Sequence, residues 1–150
     1  MSYQEKNITV TLVSTLLIGA YFVSNMLQMI QAGGLVATKI FSLWVTVIIA
    51  TILVNIISSI LTHIVLSIVH AIRTRSDAEE RFIEDERDRL IGLKGTKVSY
   101  ITFSIGVLIS MLTFVSGQPA LVMFSLIIFF SLLAEIFGDV AQIFLYRRGF

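Results

Sequence analysis

No cysteine occurs in the chain, which excludes disulfides, thiolate metal sites and cysteine nucleophiles together. Charge is scarce as well: 14% of the residues are Asp, Glu, Lys or Arg, and their near balance leaves a formal net charge of +1. Without a pronounced basic patch, no direct nucleic-acid binding is expected. The glycine-rich phosphate loop, the nucleophile elbow and the H-E-x-x-H zinc signature are all missing. No nucleophile–base pair can be assembled from what remains, so no enzyme is expected. The only two histidines, His63 and His70, lie two turns apart on one apolar run. They cannot clamp a haem from opposite faces, and no cofactor is expected. A cleavable signal peptide is not expected either, because the first apolar run is too long for a signal core and shows no small-residue cleavage site.

What the chain has in excess is apolar sequence. Of its 150 residues 56% are hydrophobic, with a mean hydropathy of +0.91, well beyond the soluble range. The excess falls in four runs, about 8–30, 40–72, 98–115 and 120–146, each able to cross a hydrocarbon core of about 30 Å. Gln31-Ala32-Gly33-Gly34 and Ser116-Gly117-Gln118-Pro119 read as turns. The spacing predicts a single membrane domain over 1–150, all-α, built as a four-transmembrane-helix bundle of two hairpins. The second run exceeds a perpendicular span, which implies tilt or an extension past the headgroups.

Between the hairpins lies 73–97, which holds seven of the eleven Lys/Arg and seven of the ten Asp/Glu. Ser76 and Glu79 have the form of a capping box and predict a short charged helix here, with Gly92 and Gly95 loosening the chain before the third span. If the termini share a side with this stretch, that side carries ten of the eleven Lys/Arg, and only Lys39 lies opposite. The positive-inside rule then predicts N-in and C-in. Tyr3, Tyr100 and Tyr146 fall at the inner interface and Trp44 near the outer one, in keeping with aromatic belts.

A shift of 91 residues lays Lys6, Thr11, Thr15 and Gly19 over Lys97, Thr102, Gly106 and Ser110. Both hairpins thus begin with small residues at four-residue spacing, which permits close backbone approach. The residues of greatest interest are Glu135 and Asp139. Glu135 lies about 18 Å along a helix before Arg147, and Asp139 about 12 Å. A carboxylate near the bilayer centre costs at least ~2.5 kcal/mol, so chance retention of two is disfavoured. Ser131, Glu135, Asp139 and Gln142 form one polar stripe on the fourth span. Asn55, Ser59, His63 and Ser67, with His70 beyond, form another on the second. The two stripes are predicted to face each other, with His63 close in depth to the carboxylates. Three uses remain open for them: interhelical glue, a proton or cation relay, and a ligand site. His63, Glu135 and Asp139 are residue types that bind zinc, but no spacing here is diagnostic and no metal site is assigned.

In the charged stretch Glu80, Glu84 and Asp88 align at i+4, and Asp85 pairs with Arg89 at the same spacing. Aligned carboxylates repel and call for a cationic partner. The tail Arg147-Arg148, the basic residues beside it, a divalent ion or a cytoplasmic protein docking at 77–94 would supply one, while a solvated surface needs none. Phe82, Ile83, Leu90 and Ile91 offer an apolar edge to the inner leaflet.

The run Glu84-Asp85-Glu86-Arg87-Asp88-Arg89-Leu90-Ile91-Gly92-Leu93-Lys94 resembles one found before the third span in a group of small bacterial four-helix membrane proteins. Tyr3-Gln4-Glu5-Lys6 and Tyr146-Arg147-Arg148-Gly149 are similar to that group's two ends. The resemblance implies a bacterial inner-membrane location and brings no established activity. Some such proteins are encoded beside small helix-turn-helix regulators, which points toward sensing. The function expected on these grounds is a non-enzymatic membrane sensor or regulator, a homodimer or larger oligomer within the lipid bilayer. In it an intramembrane polar site is coupled to the charged cytoplasmic helix. A small proton-coupled transporter using Glu135 and Asp139, and an accessory subunit of a larger membrane complex, are the alternatives.

Overall fold

Lipid offers the backbone no hydrogen-bond partners, so an apolar run that crosses it must satisfy its own N–H and C=O groups, as a helix does. The computed structural model describes residues 3–73 and 86–148, and among them are four helices. These are α1 (Tyr3–Gln31), α2 (Ala37–Arg73), α3 (Glu86–Val115) and α4 (Ala120–Arg148). Each contains a segment long and apolar enough to span a membrane. Large apolar side chains such as Leu17, Ile52, Leu108 and Leu112 stay exposed around the bundle, a surface that suits lipid and not water.

Both hairpins turn on the same backbone device. Gly33 (φ 101°) and Gly117 (φ 89°) adopt left-handed conformations just past the ends of α1 and α3. At the first, the Gly34 amide reaches Met29 O and the Gly33 amide reaches Ile30 O. At the second, Gln118 bonds Thr113 O and Gly117 bonds Phe114 O. These are paired Schellman closures, which glycine adopts without a Cβ penalty.

All helices present one end to the chain termini and the other to the hairpin turns, and α4 is the hub. It packs along α3 and along α1, α2 leans on α1, and α2 touches α4 only briefly. Among the described residues α3 meets neither α1 nor α2. Two contacts hold this arrangement. Toward the hairpin turns, Phe22 of α1, Leu43 and Val47 of α2, and Ile128 and Leu132 of α4 form a buried apolar cluster. Along α3, small residues let the α4 backbone in: a Cβ on Gly95 would meet Gln142, one on Gly106 would meet Phe130, and one on Gly138 would meet Ser99.

Several expectations are corrected. Gly92 and Gly95 do not loosen the chain, because α3 runs unbroken from Glu86 through both. An interior glycine costs a helix only about 1 kcal/mol, and at 95 the missing side chain makes room for Gln142. Residues 86–97 of the charged stretch are therefore the opening turns of α3 and not part of a separate helix, with Ile91 fully buried. Ser76, Glu79, Glu80, Glu84 and Asp85 lie outside the described residues. The facing of α2 and α4 is also narrower than expected, since α4 gives its longest contact to α3. The small-residue repeat likewise packs unequally: Gly106 and Ser110 are buried, as is Thr15, but Gly19 has nothing within 4 Å of a built Cβ.

Gly138→Ala should destabilise the bundle by about 1–3 kcal/mol, the range for overpacking. Its methyl would collide with Ser99 Oγ and lie 3.2 Å from the Gly95 carbonyl oxygen. Adding Ser99→Ala should recover part of the loss, and Gly19→Ala should change little. Unfolding in mixed detergent micelles measures all three.

Candidate functional site

Most hydroxyls of the spans are not available as glue between helices. Thr46 bonds Ser42 O, Thr96 bonds Gly92 O, Ser110 bonds Gly106 O, Ser125 bonds Leu121 O and Ser131 bonds Ile128 O, each within its own helix. Such back-bonding satisfies the hydroxyl locally. Polar contacts between helices are correspondingly few and concentrated.

One of them is at mid-bundle. Glu135, near the centre of α4, is hydrogen-bonded to the side chain of Asn55 on α2. This pair joins the two polar stripes. Among the described residues no other pair of stripe members meets in the same way. Ser131 is exposed, and Gln142 lies against Gly95 of α3. Asp139, one turn beyond Glu135, has its Oδ2 buried with no hydrogen-bond partner among the described residues. The side chains of Ser59, His63, Ser67 and His70 lie outside the described residues.

Over Glu135 the helices leave a crevice of about 480 Å³. Its walls are Trp44, Val47, Ile48, Thr51 and Ile52 of α2, and Thr96, Ser99, Tyr100 and Phe103 of α3. Its floor is α4, with Ile128, Ser131, Leu132, Ala134 and Glu135. The crevice exists because α2 and α3 both lean on other helices and do not touch each other. It opens sideways through the apolar girdle, where Ile48, Ile52 and Tyr100 are exposed. The sequence points to the acid but not to the aromatic walls: Trp44 and Tyr100, expected at opposite interfaces, line the same crevice with Phe103. A second cleft, of about 520 Å³, lies between α1 and α2 near their turn and is lined by Tyr21, Asn25, Gln28, Lys39 and Ser42 among others. It too was invisible in the one-dimensional pattern.

Three further inter-helix polar contacts form a collar at the terminal end. Ser58 Oγ donates to Asn7 Oδ1 at 2.6 Å, tying α2 to α1. The Tyr146 hydroxyl donates to Asp88 Oδ1 at 2.9 Å, tying α4 to α3. Arg147 Nε lies 3.4 Å from Oε1 of the buried Glu5, tying α4 to α1. Arg148 sits 4.6 Å over the ring of Phe144. Asp88 of the acidic face thus bonds a tyrosine, while the tail arginine turns to Glu5; Arg89 is exposed. Among the described residues no three His, Asp or Glu side chains converge as metal ligands.

Asn55→Leu should cost roughly 0.6–1.7 kcal/mol, the measured span for side-chain hydrogen bonds in membranes. Asp139→Leu should be neutral or stabilising, since it removes a buried oxygen that has no partner among the described residues. Thermal unfolding checks the order: a larger loss for Asp139→Leu than for Asn55→Leu would contradict it. Compared with protein-family models, curated proteins and solved structures, the chain matches none of them.

Proposed function

We propose that the chain is a non-enzymatic sensor or regulator of the bacterial inner membrane, with both termini and the 73–97 stretch in the cytoplasm. Occupancy of the intramembrane site at Glu135 is relayed along α4 to the collar beside the cytoplasm. The observation that carries this reading is that one continuous helix holds both ends of the relay. Glu135 meets α2 at mid-depth, and Tyr146 and Arg147 of the same helix grip α3 and α1. A rigid helix transmits a shift at one contact to the other. The distribution of Lys and Arg supports the orientation, and the likeness of residues 84–94 to small bacterial membrane proteins supports the location. On this reading the exposed face of α3 near Arg89 and Leu93 meets a cytoplasmic protein, and the chain works as a homodimer.

A specific observation also favours a second reading, a small proton-coupled transporter. Asp139 holds a buried oxygen without a partner among the described residues, one turn from Glu135. Acids kept at such depth without structural reward are typical of proton pathways.

The chain has no cysteine, so single labels are readily placed. Nitroxides at Ile60→Cys on α2 and Leu93→Cys on α3 report the opening of the terminal end. Glu135→Gln should shift their separation by about 1–2 Å or more, the scale of functional helix shifts. A distance unchanged by Glu135→Gln, with proton-linked flux lost from liposomes carrying that variant, would favour the transporter. Tyr146→Phe with Arg147→Ala should uncouple the collar and remove the response to Glu135→Gln.

A further inference from the structure

Resting on the reading of Glu135 as the sensing site, we infer that the crevice between α2 and α3 binds amphipathic organic cations, drawn sideways from the membrane. Its position, its lining and its charge each point to that class. The volume, about 480 Å³, is within the range of about 300–1,000 Å³ typical of small-molecule sites. The walls are apolar and aromatic, with Trp44, Tyr100 and Phe103 supplied by two helices. Ring faces attract a cation, and do so most strongly where water is excluded. At the floor is one acid, Glu135, and neither Lys nor Arg lines the crevice. An anion would therefore find an unfavourable field and no cationic partner. A strongly hydrated inorganic cation would find too few oxygen ligands, because hard cations take six or more. A neutral acyl chain would fill the space but leave Glu135 without a counter-charge.

The Asn55 hydrogen bond gives the site its link to the proposed relay. It joins Glu135 to α2, the helix with the slightest hold on α4. A cation that engages the carboxylate competes with Asn55 for it, and so alters how α2 is seated. The ligand enters from the bilayer because no α2–α3 contact among the described residues closes the crevice.

Trp44 is the only tryptophan in the chain and lines the crevice, so its fluorescence reads occupancy directly. Tetraphenylphosphonium and tetraphenylborate have closely matched shapes and opposite charges. Titrated into the full chain in lipid nanodiscs, the cation should quench Trp44 saturably, and the anion should not. Glu135→Gln should weaken the cation by at least about tenfold while leaving the helical content intact. Should that variant fail to fold, Thr51→Cys in the otherwise cysteine-free chain gives a second measure. Its alkylation by a maleimide should be slowed by tetraphenylphosphonium and unaffected by tetraphenylborate. Equal binding of the two ions, or undiminished cation binding by Glu135→Gln, would overturn the inference and leave an acyl-chain groove. Cation binding without any change in the 60–93 nitroxide distance would uphold this site and overturn the relay. A relay that responds to Glu135→Gln while the cation fails to bind would overturn the ligand class alone.

Discussion

The bundle depends on how closely α3 and α4 approach. Between two helices in lipid there is no hydrophobic driving force, since acyl chains are as apolar as leucine, and close packing must replace it. At Gly138 that closeness is extreme: the place a Cβ would take is held by Ser99 Oγ, with the Gly95 carbonyl just behind. Gly95 receives Gln142 and Gly106 receives Phe130 in the same manner. This seam is the most extensive helix–helix contact among the described residues. α1 joins it through the Phe22 and Leu132 cluster and through Glu5. α2 has no comparable hold on α4, and the crevice over Glu135 is the consequence of that inequality.

The polar residues follow a related division. Serine and threonine inside the spans mostly turn back on their own carbonyls, so they allow close approach without specifying a partner. Specific pairing falls to a few side chains: Asn55 with Glu135, Ser58 with Asn7, Tyr146 with Asp88, and Arg147 with Glu5. Two of those four bonds attach α2, and neither joins it to α3. At roughly 0.6 kcal/mol per membrane hydrogen bond, they orient α2 without locking it.

The four spans and their turns were legible because lipid leaves the backbone no choice and because Gly33 and Gly117 do what only glycine does cheaply. Glu135 was legible because a carboxylate in an apolar run stands out against its insertion penalty. The start of α3 was misread for the opposite reason. Gly92 and Gly95 look like chain breakers in one dimension, and only the presence of Gln142 shows that Gly95 is a contact surface. The stripes misled in part because four-residue spacing fixes the face of a helix, not the neighbour that face meets. Gln142 shares a stripe with Glu135 yet serves the α3 seam, since a stripe that wide on α4 spans two neighbours. Nothing in the linear sequence joined the aromatic walls of the crevice, as Trp44 and Phe103 lie 59 positions apart.

A buried acid is commonly read as either structural or functional, and here the two roles separate along a single helix. Glu135 has a partner, and its bond to Asn55 gives it some structural value. Asp139 has a buried oxygen with no such partner among the described residues, so packing alone gives no reason to keep it. Neither is needed for the seam, whose members are glycine, serine, glutamine and phenylalanine. The part of α4 that holds the fold together and the part that carries charge into the membrane are different faces of one helix. A change at the charged face can therefore bear on α2 and on the collar without disturbing the α3 seam, the mechanical condition that the proposed sensing role requires.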